Sequence, residues 1–152
     1  MKLLYRGTRD GMTANDFHRK CDNKGKAISL FLNDKGNIFG GFSSIPWAND
    51  NKDKTANDCF LFTLNNIYNT EPKKFPYIKY RSIYDGYVSG PIFGDGSDLY
   101  FQYNFNDKNN TLSYFPYSYQ DVLGKGKSIF TGDKNNNNRN FILKEMEVFE
   151  IF

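Results

Sequence analysis

Histidine and cysteine are close to absent from this chain, which carries one His and two Cys in 152 residues. With His18 as the only imidazole, a Ser/His/Asp or Cys/His relay has a single available base. A closed zinc site needs four ligands, and the sequence offers no second His/Cys pair beside His18 and Cys21. The two thiols, Cys21 and Cys59, are too few for a disulfide framework and could form one bridge at most. No apolar run is long enough to span a bilayer. There is no Gly-x-Ser-x-Gly nucleophile elbow. Charge of one sign is also scarce: 20 basic residues against 17 acidic ones leave a net charge of +3. The basic residues fall in short pairs, Arg19-Lys20, Lys73-Lys74 and Lys125/Lys127, without the concentrated face that nucleic acid binding requires. The opening Met-Lys-Leu-Leu-Tyr-Arg gives way at once to Gly7 and charged residues, unlike a secretory signal. An intracellular, cytoplasmic setting is therefore expected, and Asn109-Asn110-Thr111 is read as a chance match to a glycan acceptor.

What the chain has in abundance is aromatic surface, with 15 Phe and 11 Tyr. That is enough large side chain to fill one core, so residues 1–152 are expected to form a single domain. Aromatic weighting favours strands over helices. Residues 2–6 read as a strand, 7–11 as a polar turn. Thr13 offers an N-cap with Asp16 three residues on, predicting a helix to Cys21. At helical spacing Ala14, Phe17, His18 and Cys21 share one arc, placing His18 and Cys21 on the core side. Residues 27–33 and 38–43 read as a hairpin about Asp34-Lys35-Gly36. Gly40-Gly41 inside the return strand predicts a bulge or a close backbone approach.

Residues 48–58 read as an exposed loop. Strict alternation over 59–64 predicts a strand with Phe60, Phe62 and Leu64 on one side and Cys59, Leu61 and Thr63 on the other. A loop over 70–76, strands over 77–84 and 99–105, polar loops at 106–113 and 132–140, and a final strand over 141–152 complete the chain. In that last strand a phase change at Phe149 predicts a bulge or burial on both faces. Many short strands, turn signals between them and one or two short helices predict a mostly β (α+β) fold. The expected architecture is a sandwich of two antiparallel sheets flanked by those helices.

Four groups of residues could carry chemistry. His18 and Cys21 lie one helical turn apart. A thiolate beside His18 would be reactive, and a redox role for Cys21 or Cys59 requires exposure. Glu145 and Glu147 point to one face of a strand, where paired carboxylates could run acid/base hydrolysis or pair with Arg6 or Arg9 if the first and last strands are neighbours. Residues 90–98 lack the Gly-Lys-Ser/Thr ending of a phosphate loop and carry Asp95 and Asp98 instead. With Ser97 these form a weak candidate for calcium, against which tight turn geometry explains the glycines. Trp47, or the Tyr-rich 114–119 segment, could stack on a sugar if exposed.

Five ordered blocks carry a resemblance. Leu4, Tyr5, Arg9, Asp10 and Gly11 precede Phe17, His18 and Cys21. Ile38, Phe39, Gly40, Gly41 and Trp47 follow, then Phe60, Leu61, Phe62 and Leu64. The most specific is Gly90-Pro91, Phe93-Gly94, Gly96 and Asp98, and the last is Glu145, Glu147, Val148 and Phe149. Together they resemble the TLDc domain of the oxidation-resistance type. The resemblance implies a β-sandwich and a role in resistance to oxidative damage. For some relatives it implies engagement of the vacuolar-type proton-pumping ATPase. It implies no agreed reaction and no cofactor. Relatives often carry His where this chain has Ser97, so no role for that position is carried over. Relatives also tend to have a helical segment before the first strand, where Met1 stands here, and the chain is read as a domain cut from a longer protein. The expectation is a monomeric, non-catalytic module that binds a protein partner. A thiol antioxidant using Cys21 or Cys59 and a glycan-binding sandwich are the alternatives.

Overall fold

A computed structural model describes all of residues 1–152. Its principal layer is a six-stranded antiparallel sheet. In chain order its strands are β1 (Lys2–Arg6), β2 (Ala27–Asn33), β3 (Ile38–Ser43), β5 (Phe60–Asn65), β6 (Lys73–Pro76) and β11 (Leu143–Glu150), arranged β1-β11-β2-β3-β5-β6. The facing layer is built from smaller pieces. One is a three-stranded sheet of β4 (Lys52–Lys54), β7 (Ile83–Asp85) and β8 (Ile92–Phe93). The other is a pair, β9 (Tyr100–Phe101) and β10 (Thr111–Leu112). Isolated bridges, Phe93–Leu99 and Ser89–Gln102, link the two.

The helices are short: α1 (Gly7–Asp10), α2 (Ala14–Cys21) and α3 (Ser128–Thr131). Helix α2 starts where the sequence predicts. The Thr13 side chain accepts the Asp16 N–H, and the Asp16 carboxylate accepts the Thr13 N–H at 3.2 Å, a reciprocal cap that satisfies two otherwise free donors. Its buried residues are Ala14, Phe17, His18 and Cys21, the arc given by the 3.6-residue period.

The two layers meet through aromatic rings. Phe31 of β2 stacks on Phe101 of β9 with centroids 4.3 Å apart, and Trp47 meets Phe93 edge-on at 5.9 Å. Phe39, Phe75 and Phe115 surround Phe130 of α3 at 5.2, 5.6 and 4.9 Å. Each such pair adds about 0.5–1.5 kcal/mol beyond the area it removes from water. Gly41 allows the layers this close: a Cβ there would lie 2.5–2.8 Å from three carbons of the Phe93 ring. Gly40 faces the other way, under the Phe62 ring at 2.5 Å. The glycine pair thus serves close approach on both faces, with no break in the β2–β3 register.

Several expected boundaries differ. Residues 73–76 form the strand where a loop was expected. Phe75 is buried opposite Leu61, and Pro72 and Pro76 are tolerated because β6 is an edge. The strands expected over 77–84 and 99–105 shrink to 83–85 and 100–101. Tyr80, Ser97 and Tyr103 take φ of 62°, 58° and 51°, a left-handed backbone that ends any strand. The predicted loop 48–58 contains β4, which pairs with β7. The turn expected at 7–11 is the helical turn α1, and α3 was not foreseen. At Phe149 the last strand keeps its alternation, with Val148 buried inward and Phe149 half-buried outward. The irregularity there lies on β1, between Leu3 and Tyr5, and a second register shift, against β2, falls between Leu143 and Glu145.

Candidate functional site

Helix α2 carries His18 to a buried position with 5% exposure. Nε2 lies 2.9 Å from the Gly86 carbonyl and 2.7 Å from the Ser89 carbonyl. Carbonyls only accept, so Nε2 bears a hydrogen and donates to both. Nδ1 lies 2.7 Å from Asp22 Oδ1, and one proton is held between them. Burial pushes the Asp22 carboxyl up, opposed by its bond to His18. Nε2 therefore pins the 86–89 turn to α2, while Nδ1 is held by Asp22 at the end of the same helix.

Cys21 is 2% exposed and Cys59 1%, and neither is in a disulfide. Burial pushes the Cys21 thiol well above its ordinary range, and the nearby Asp22 and Asp10 carboxylates push the same way. This is the opposite of the environment that makes a reactive thiolate.

On β11, Glu147 accepts from Arg6 Nη2 at 3.0 Å, the pairing expected of neighbouring first and last strands. Glu145 does not pair with Arg9. It accepts the Thr8 N–H at 3.1 Å and the Thr8 hydroxyl at 2.5 Å, tying α1 to the sheet. Arg9 turns instead to Asp10 at 2.7 Å. That bond, with the Arg6 N–H, holds the Asp10 carboxyl below the usual carboxylate range. Gly11 follows as the C-cap of α1.

The glycine-rich stretch is a structural anchor. Asp98 has no exposed surface, and its carboxylate accepts the N–H groups of Tyr117, Ser118 and Tyr119 at 2.8, 3.1 and 3.2 Å. Burial pushes its carboxyl up to about 6, and the three N–H donors pull the other way. Gly94, at φ +90°, leaves room for Asp98 Oδ1 where a side chain would collide with it. Gly90 lies under the Phe105 ring and Gly96 under Tyr117, while Pro91 is buried between them in sequence. Asp95 points outward to Arg81 Nε at 3.5 Å, away from the buried Asp98. Nowhere do three or more His, Cys, Asp or Glu side chains gather as a metal site would require.

Asp85 is not among the residues that the sequence singles out. It is fully buried on β7 and accepts the N–H groups of Ala48 and Asn49 at 2.6 and 3.0 Å and the Lys54 ammonium at 3.0 Å. Its partners lie more than 30 residues away, and no local pattern signals them. Trp47, a candidate for sugar stacking, is 1% exposed and belongs to the core, edge-on to Phe17 and Phe93. Tyr114 and Tyr117 are exposed, and Tyr119 is buried.

The outer face of the six-stranded sheet is different in kind. Ile28, Leu30, Phe60, Phe62, Leu64 and Phe149 line an open groove of about 670 Å³ there.

A family model described as the TLDc domain matches residues 1–152. The chain belongs to the TLDc family. No curated protein matches it. In this TLDc domain the sequence blocks are the joints of the fold: β1 with α1 and α2, the Gly41–Phe93 contact between layers, the Asp98 anchor, and β11 inserted between β1 and β2. No helix is long and apolar enough to cross a membrane.

Proposed function

We propose that this TLDc domain works through its surface, as a non-catalytic protein-interaction module in cytoplasmic resistance to oxidative damage. Its proposed partner is a subunit of the vacuolar-type proton-pumping ATPase. The oxidative role and the pump rest on likeness to the family. One observation favours binding over chemistry: the polar groups that could react are committed inside. His18, Asp85 and Asp98 each hold the backbone of a neighbouring segment, and Cys21 and Cys59 are sealed from water. A thiol scavenger would need one of those sulfurs at the surface as a thiolate.

Affinity capture from oxidant-treated cells, read by mass spectrometry, tests this. Recovery of pump subunits is expected, together with unchanged oxidant tolerance in a Cys21→Ser/Cys59→Ser variant. Loss of tolerance in that folded variant would favour the thiol reading instead. The glycan reading keeps one supporting feature: Tyr80 and Tyr117 stack at 5.5 Å at the surface, with the Lys79 ammonium 5.4 and 5.3 Å from the two rings. Flat titrations against a glycan panel would end it.

A further inference from the structure

Antiparallel sheets with one wet face ordinarily alternate apolar-in and polar-out. Here most outward positions of β2, β3 and β5 are also apolar, with Glu145 and Glu147 of β11 and Lys74 of β6 at the borders. The register fixes this: Phe149 stands opposite Ile28, Ile28 opposite Phe42, and Phe42 opposite Phe60, all on the side away from the core. Phe42 and Phe60 stack at 5.1 Å. Leu64 is 45% exposed. Ile28, Leu30, Phe42, Phe60 and Phe149 are half-buried beside it, and contiguous apolar surface left open to solvent is a feature of interaction sites.

The charge around it is one-sided. The charged residues lining the groove are Lys73 and Lys74 of β6. Lys74, opposite Phe62, is on the outward face with Nζ 4.3 Å from the centroid of the Phe60 ring, and Lys73, opposite Thr63, stands exposed at the sheet edge. No carboxylate lines it. Towards β1, Glu147 is matched by Arg6 and Glu145 is taken up by Thr8. The groove therefore offers apolar surface with uncompensated positive charge along one edge.

We propose that this groove docks a protein segment whose apolar face is bordered on one side by Asp or Glu. The apolar face lies against β2 and β5, and the carboxylates lie against Lys73 and Lys74. This rests on the domain being a protein-interaction module, and adds the surface used and the chemistry of the partner. A second copy of the chain fits less well, because two such faces would bring lysine borders together with no acid in either groove to offset them. A membrane surface fits less well because the apolar side chains line a concavity, whereas insertion into lipid requires them to protrude.

The test titrates the intact domain with two fluorescent synthetic peptides. They share one Leu/Ile/Phe face, bordered by Glu in one and by Lys in the other. The Glu-bordered peptide should bind about tenfold more tightly, with the difference narrowing at high salt. Lys73→Glu/Lys74→Glu should reverse the preference. Leu64→Gln should weaken both peptides about fivefold, since it removes apolar area from the contact. All three side chains are exposed, so thermal melts should show these variants folded. Equal binding of both peptides, or indifference to Leu64→Gln, overturns the proposal. So does Leu64-dependent binding to anionic phospholipid vesicles or Leu64-dependent dimerisation in sedimentation. Pump capture separates the two readings. Undiminished recovery of pump subunits by the Leu64→Gln/Lys74→Glu variant rejects the groove and leaves the pump. Peptide discrimination without pump subunits does the reverse.

Discussion

Asp98 Oδ2 accepts the backbone N–H of Tyr117 at 2.8 Å, from a carboxylate with no exposed surface. With the Ser118 and Tyr119 bonds it fixes a segment that no regular strand holds. Asp98→Asn would turn an amide N–H₂ towards at least one of these donors. The expected cost is about 1–3 kcal/mol, read by denaturant unfolding. The sign of its pH dependence follows from its titration. Folded Asp98 gives up its proton near 6, and an unfolded aspartate near 4. Between those values the folded state binds more protons, so the Asp98 contribution is complete below about pH 4 and is lost as pH rises through 6. The gap between wild type and Asp98→Asn should therefore be widest near pH 4 and narrower at pH 7. A gap that widens with pH contradicts this.

Gly41→Ala should destabilise by about 1–3 kcal/mol, because the new methyl meets the Phe93 ring at 2.5–2.8 Å. In a domain of this size that lowers Tm by about 2–4 °C per kcal/mol. Phe93→Leu removes the obstructing carbons, so the double variant should lose less than the sum of the singles. Simple additivity in thermal melts would mean that the two residues do not press on each other.

Native protein should leave Cys21 and Cys59 unreactive towards a thiol reagent such as DTNB, with both reacting on denaturation. His18→Ala removes the link between α2 and the 86–89 turn. It should speed labelling of Cys21, the neighbour on the same helical arc, while Cys59 on the flank of β5 stays protected. Prompt labelling of Cys21 in the wild type would return the scavenger reading to contention.

The Arg6–Glu147 pair is half-exposed on the arginine side, so Arg6→Ala should cost under about 1 kcal/mol. Thr8→Val should also cost about 1 kcal/mol or less, because the hydroxyl bond it removes is exposed and water can replace the donor at Glu145. Unfolding curves of the two variants check both figures.

Local patterns made much of the fold legible. Alternation over 59–64 and the Thr13/Asp16 cap depend on neighbours in sequence, and both stand as read. The strands over 77–84 and 99–105 failed because distant partners decide the backbone there. Tyr103 donates to the Val88 carbonyl and accepts from the Ala14 N–H, and it takes a left-handed φ to do both. The period of two also leaves undecided which side of a strand is inside. In β2 the three aliphatics Ile28, Leu30 and Leu32 face outward, while Ala27, Ser29, Phe31 and Asn33 face in, where Ser29 lies opposite Gly41. The candidate groove was invisible for that reason.

The last strand to be synthesised, β11, lies second in its sheet, hydrogen-bonded to β1 on one flank and β2 on the other. Until residues 143–150 leave the ribosome, β1 has no strand to pair with and β2 has one open flank. Pairing of β1 is thus held back until the far end of the domain has emerged. A nascent chain that has reached only β10 would leave β1 unsheltered, the kind of exposed edge that chaperones bind.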